Sequence, residues 1–141
     1  MYAAIRIRGS VNLKKDIEDT LVMLRMNRKM HCVILKESDC TKGMLNKVRN
    51  WITWGEIDDD NLKLLIKKRG RKLADKRLTE KDAEEVFNKI KESQKIPEEI
   101  KPVFRLTPPS KGFKNSIKQH YPKGELGYRR KEINELLKRM I

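Results

Sequence analysis

Apolar and polar residues alternate along Tyr2–Arg8, with Ala3, Ile5 and Ile7 in one phase and Arg6 and Arg8 in the other. A period of two puts each phase on its own face of a strand, so this stretch reads as a strand with one buried and one basic face. Gly9-Ser10 ends it. The period then lengthens. Leu13, Ile17, Leu21 and Leu24 recur at helical spacing, with Asn12 as the expected N-cap and an end near Met26. Asp16, Glu18 and Asp19 stand near the start, and Arg25, Arg28 and Lys29 near the end, as the helix dipole prefers. His31–Leu35 is β-branched and bounded by Glu37-Ser38-Asp39, a second strand. Thr41 is the expected cap of a second helix with Met44, Val48 and Trp51 inward, and Ile52–Ile57 is a third strand.

Beyond residue 57 the pattern becomes more helical and more charged. Asp58-Asp59-Asp60 marks a helix start, with Leu62, Leu65 and Ile66 as its apolar face and Gly70 just past its end. Thr79 with Asp82 approximates a capping box, ahead of Ala83, Val86, Phe87 and Ile90 at i, i+3, i+4 and i+7. Residues 93–102 form a charged connector. Val103–Leu106 fits a short edge strand flanked by Pro102 and Pro108. Gly124 and Gly127 loosen the chain before a closing helix with Ile133, Leu136, Leu137 and Met140 on one stripe. The expected fold class is α+β, with a β-α-β-α-β core over 1–57 and a mostly helical and loop extension over 58–141 packing on it.

Charge changes the picture most. The chain of 141 residues carries +14 at neutral pH, with 38% charged and 38% hydrophobic residues. Nearly all of the excess sits in two blocks of +7 each, residues 61–78 and 102–141, separated by a mildly acidic stretch. Such blocks are the electrostatic footprint of a nucleic-acid binder. Overlapping the second, Lys101–Gly124 has six basic and no acidic residues, interrupted by Pro108-Pro109 and Gly112. A segment that repels itself is completed by a polyanion, and its regular apolar positions (Val103, Phe104, Leu106, Phe113, Ile117, Tyr121) separate it from a solvated tail.

Other chemistry has less to stand on. Cys32 and Cys40 make neither a zinc pattern nor a disulfide framework, and read as small buried or half-buried thiols in a reducing compartment. No apolar run approaches the roughly 18 residues of a membrane span, and no signal-peptide core is present. The expectation is a soluble cytoplasmic protein without a membrane, cofactor, metal or small-molecule substrate. His31 opens a strand, where a structurally satisfied imidazole is the simpler reading. His120 stands in the basic segment beside Tyr121, placed either to contact RNA or as an ordinary loop residue. Phosphate loops, nucleophile elbows and metal-binding His/Glu spacings are missing, and helix capping accounts for the three aspartates better than magnesium does.

The basic groups fit phosphate contacts around flexible loops. Arg69, Arg71 and Lys72 flank Gly70, while Arg105, Lys111, Lys114 and Lys118 surround Pro108-Pro109 and Gly112. Gly112 lets backbone approach a phosphate because it lacks Cβ. With three Phe, three Tyr and two Trp, several of them committed to packing, the chain does not offer the stacking platforms of a generic single-strand binder. Recognition of a folded RNA by backbone and shape fits better.

Several stretches resemble one known family. IRGSVNLKKDIEDTLVMLRMNRKMHCVIL, SDCTKGMLNKVRNWITWGEI, VFRLTPPSKGFK and YPKGELGYRRKEINELLKRMI are similar to the universal large-subunit ribosomal protein called L thirty in bacteria and L seven in eukaryotes, in its archaeal form. The loop departs from the family's pattern at Ser110, where an arginine often stands. The chain as given starts at strand one, without the eukaryotic basic arm. The resemblance implies a three-stranded antiparallel sheet with two helices on one face, similar to a ferredoxin-like unit. It further implies a structural role in the large subunit, contacting 23S-type rRNA and neighbouring ribosomal proteins, with proximity to 5S rRNA as a finer expectation. Carried over by position, it adds Arg8, Lys14 and Lys15 after the first strand and Lys42, Lys47 and Arg49 at the second helix to the RNA contacts. The complete candidate set is these six with Arg69, Arg71, Lys72, Arg105, Lys111, Gly112, Lys114, Lys118 and His120. The competing reading is a free-standing RNA- or DNA-binding regulator.

Overall fold

The computed structural model describes residues 1–93 and 95–141; Gln94, within the connector expected over 93–102, lies outside the described residues. The elements run β1 (Tyr2–Arg6), α1 (Lys15–Met23), β2 (His31–Leu35), α2 (Asp39–Lys47), β3 (Ile52–Glu56), α3 (Asp59–Arg69), α4 (Glu80–Ser93), β4 (Val103–Arg105), β5 (Ser116–His120), β6 (Gly124–Tyr128), a 3-10 turn (Arg130–Glu132) and α5 (Ile133–Met140). β1 pairs antiparallel with β2 (Ala3 opposite Ile34) and with β3 (Ala3 opposite Gly55). The expected α+β class and its antiparallel core sheet are therefore present. The sheet is larger, however: six strands in the order β4-β2-β1-β3-β6-β5.

The extra strands come from the extension, which is less helical than its pattern suggests. β4 adds antiparallel to β2, with His31 opposite Arg105, as the edge strand flanked by prolines. β6 adds parallel to β3, with Thr53 opposite Gly127. The two glycines that look like loosening elements are required by this packing. A Cβ on Gly124 would sit 2.0 Å from the Gln119 carbonyl oxygen, and one on Gly127, at φ +83°, would sit 2.8 Å from the His120 ring.

Both faces of the β2-β1-β3 part of the sheet are covered, which overturns the expectation of a basic face on β1. Tyr2 and Ala4, with Val33, Ile52 and Trp54, pack under Leu21 and Leu24 and under Leu45 and Val48 of the α1/α2 layer. Ala3, Ile5, Cys32 and Ile34 face α3, α4 and α5 through Leu65, Ile66, Phe87, Ile90, Leu136 and Leu137, with Phe104 among them. Two helices on one face is right for α1 and α2; the extension supplies a second layer on the other. Arg6 is accordingly buried, and it is satisfied by main-chain oxygens: Nη1 donates to Met26 (2.7 Å) and Asn27 (3.0 Å), and Nε to Arg8 (2.9 Å). These bonds fold the 24–30 link back against the end of β1.

Helix ends correct several sequence readings. Asn12 does not cap α1; it lies at φ +57°, and Lys14 occupies the N-cap without a side-chain cap bond. Ser38, not Thr41, caps α2, accepting from the Thr41 N–H at 3.1 Å. Asp58 stands at the α3 N-cap but makes no side-chain cap bond; its N–H donates to Asn134 Oδ1 at 3.0 Å, tying α3 to α5. Gly70 ends α3 in an extended conformation, and it is glycine because a Cβ would meet the Ile66 carbonyl oxygen and Leu78 at 2.4 Å. Cys32 is buried, its thiol pushed up to about 12 by burial, but Cys40 is exposed in the first turn of α2.

The capping box is present. The Thr79 N–H donates to Asp82 Oδ2 (3.2 Å) and the Asp82 N–H to Thr79 Oγ1 (3.4 Å). Bonds to Lys72 and Thr79 hold the Asp82 carboxyl down at about 2, below its ordinary 3.8. A folded-state value below the unfolded one means the stabilisation is full above about pH 3.8 and is lost as pH falls through about 2. Thr79→Ala is expected to cost about 1 kcal/mol at pH 7, read by urea denaturation. An unchanged midpoint would show that the box does not hold α4.

Candidate nucleic-acid interface

Register places the basic groups. β1 ends at Arg6, opposite Ile52, while Ile5 stands opposite Cys32, so β1 leaves the sheet where β2 and β3 enter. β4 ends there too, since Arg105 pairs with His31. The segments at this end carry Arg8, Lys14, Lys15, Arg28, Lys29, Lys47, Arg49, Arg105 and Lys111. At the opposite end, past Leu35 and Glu56, stand Glu37, Asp39, Glu56, Asp58, Asp59 and Asp60. The contrast between the ends is one of excess: the basic end also holds Asp16, Glu18 and Asp19, and the acidic end also holds Lys36, Lys42, Arg130 and Lys131.

Further contacts draw the long basic segment onto the same end. The loop after β4 is fastened to the C-terminus of α5. The Thr107 N–H donates to the Met140 carbonyl (3.1 Å) and the Ser110 N–H to that of Arg139 (2.9 Å). Arg139 Nη2 returns bonds to the Ser110 (2.9 Å) and Gly112 carbonyls. Lys111 and Gly112 thus stand at positive φ (+64° and +74°) on the tip of a tethered loop, and a Cβ on Gly112 would meet only open space. Arg69 joins from α3, its Nη2 donating to the Ile141 oxygen (2.8 Å) and to Thr107 Oγ1 (3.2 Å).

The fifteen candidates fall into different situations. Lys15 pairs with Asp19 (3.2 Å), Lys42 with Asp39 (4.0 Å), Lys47 with Asp16 (3.9 Å), Arg71 with Asp75 (3.3 Å), Lys72 with Asp82 (2.7 Å) and Lys114 with Glu135 (2.7 Å). Exposed pairs of this kind are worth at most about 1 kcal/mol, so they exchange readily for a phosphate. Lys14, Arg49, Arg105, Lys111 and Lys118 are exposed and have no acidic partner within ion-pair distance among the described residues. Lys42, in the first turn of α2, stands at the acidic end, away from the others. Arg71 and Lys72 lie beside the β4 edge, where the Arg71 carbonyl accepts from the Lys101 N–H at 2.9 Å.

Both histidines differ from their simplest readings. His31 Nδ1 is buried without a hydrogen-bond partner, so the imidazole is not fully satisfied. Burial, then the nearby Arg105, Arg28 and Arg6, push its pKa down. His120 is not a plain loop residue either; its Nε2 lies 2.8 Å from Asn50 Oδ1, bridging β5 to the α2–β3 link. Arg28, Lys29, Asn50 and Arg139 belong to this end and carry no motif that marks them in sequence. Asn50 and Arg139 enter only through contacts to residues far away in the chain.

Beneath β5, a buried ion pair fixes the segment that carries Lys118 and His120. Arg129 Nη2 donates to Glu125 Oε2 at 2.7 Å, and Glu125 Oε1 accepts from the Asn115 N–H at 3.0 Å. The Arg129 guanidinium also lies 5.1 Å from the Tyr121 ring centroid. β5 itself is exposed at every position and gains its place through this support.

The family model described as ribosomal protein L30p/L7e matches residues 2–52, from the start of β1 to the first residue of β3. Over the whole chain, the large ribosomal subunit protein uL30 of Methanosphaera stadtmanae is 44% identical, covering all of both chains. That of Nanoarchaeum equitans is 46% identical over all of this chain and 99% of its own, and that of Archaeoglobus fulgidus 42% over 99% of each. Matches of this extent, reaching through the basic loop and α5 as well as the core, place the chain in the ribosomal protein L30p/L7e family.

Proposed function

We propose that this chain is a structural constituent of the large ribosomal subunit in the cytoplasm, binding and stabilising folded 23S-type rRNA through the basic end of its sheet. The carrying observation is that segments from residue 8 to residue 139 converge on one end and present exposed cations there in excess of the acids beside them. A duplex or folded RNA presents phosphates at spacings that such a row of separated side chains can meet without reading bases in a deep groove. In this reading residues 1–57 are the shared core and 58–141 an added layer that brings the second basic block to the core's own basic end. The acidic end remains for neighbouring ribosomal proteins, and the finer expectation of proximity to 5S rRNA belongs to the same reading. No catalytic step is assigned.

Sedimentation and footprinting test this. The protein is expected to travel with the large subunit and to protect a limited set of rRNA helices; recovery mainly as free protein would sink the reading. Equal affinity for duplex DNA and rRNA at physiological salt would instead favour the free-standing regulator. At the level of residues, Lys111→Ala and Lys118→Ala are each expected to lower the salt slope of rRNA binding by about one. Lys114→Ala should lower it less, since Glu135 already holds that ammonium. Unchanged slopes for Lys111 and Lys118 would mean that both are merely solvated.

A further inference from the structure

Three segments meet beside the end of β1 in a way that phosphate binding alone does not require. The Arg8 guanidinium lies over the Trp51 ring, 5.7 Å from its centroid, and Nη1 donates to the Asn50 carbonyl at 3.2 Å. The backbone locks this stack, since the N–H groups of Ile7 and Arg8 both donate to the Trp51 carbonyl (3.0 and 3.1 Å). Asn50 Oδ1 is occupied by His120 Nε2 at 2.8 Å, which turns the amide NH₂ away from His120. Arg8 and Trp51 are half-buried, while Asn50 and His120 are exposed.

A cation meant only for phosphate does better extended into solvent. Here a planar guanidinium is held over an aromatic ring, and its remaining N–H groups have no acceptor among the described residues. The half-exposed guanidinium offers a stacking surface, with the exposed Asn50 beside it and His120 bonded to Asn50. Unstacked RNA bases are held by stacking on aromatic or arginine planes together with hydrogen bonds to the base edge. We propose that Arg8, Asn50, Trp51 and His120 form a seat for one unstacked base of the bound RNA, resting on the rRNA-binding reading above. The seat adds base recognition to a surface that otherwise meets the RNA backbone.

The test uses the full chain and transcribed domains of 23S-type rRNA, with affinity measured across a salt series and the bases probed chemically at their Watson–Crick edges. Arg8→Ala is expected to lose roughly 5- to 150-fold in affinity, the range for one stacked base, at an unchanged salt slope. One nucleotide should regain reactivity at its base. Arg8→Lys should fail to restore either, because an ammonium is not planar. Asn50→Ala, at an exposed position, should expose the same nucleotide and serves as the second variant if Arg8→Ala folds poorly. A slope lowered by about one and restored by Arg8→Lys would make Arg8 a phosphate contact, overturning the seat and leaving rRNA binding intact. Full affinity with every base protection retained in both variants would also overturn it. No binding by the unaltered chain at low salt would overturn the rRNA reading itself.

Discussion

Raising the salt from about 50 to about 200 mM is expected to weaken binding to rRNA by roughly 10³- to 10⁵-fold, the loss that six to ten phosphate contacts imply. The exposed, acid-free candidates at or near the basic end, Lys14, Arg49, Arg105, Lys111 and Lys118, supply five of these. Lys15, Lys47 and Lys114 supply more only by releasing Asp19, Asp16 and Glu135, each release costing at most about 1 kcal/mol. The logarithm of affinity should therefore fall linearly with the logarithm of salt over the whole range. A slope corresponding to two or three contacts would mean that most of the +14 charge is solvated. It would also reduce the excess of cations at the basic end to an accident of composition.

The second large effect is on stability. Glu125→Ala is expected to cost about 3–5 kcal/mol, because it leaves the Arg129 guanidinium buried without its charge partner. At about 2–4 °C per kcal/mol for a chain of this size, the thermal midpoint should drop by roughly 10 °C. Glu125 also accepts from the Asn115 N–H, so the variant loosens the start of the segment leading into β5. RNA affinity should then fall below the melting transition as well, since Lys118 and His120 lose their fixed positions. A midpoint within about 2 °C of the unaltered protein would show that the pair contributes little, and that β5 is held by β6 alone.

Both predictions depend on features with very different visibility in the sequence. The β1–β3 strands, α2 and α3–α5 were readable because each carries its own period: Leu62, Leu65 and Ile66, or Ile133, Leu136, Leu137 and Met140, face one core whatever surrounds them. The Thr79–Asp82 box was readable because capping is local. β5 and β6 were not. β5 has no buried position, and β6 holds two glycines that look like breakers until Gln119 and His120 are seen to fill the space their Cβ atoms would need. Arg6 misled for a similar reason, since alternation cannot tell a solvent face from a second buried one.

The candidate site divides in the same way. Charge blocks, the Pro108-Pro109 loop and Gly112 named the class of ligand from composition and spacing alone, because phosphate attraction depends on how many cations are present and how few acids oppose them. Which cations act together could not be read along the chain. Arg8 meets Trp51 and Asn50, Asn50 meets His120, and Arg139 meets Ser110 and Gly112, only after antiparallel pairing and the α3–α5 layer bring distant segments to one end. The sequence by itself determined the core strands and the helices, the class of ligand to expect and the resemblance to the family. The tertiary structure decided the six-stranded sheet, the burial of Arg6 and Arg129, and the single basic end, because these depend on contacts between residues that no local period connects.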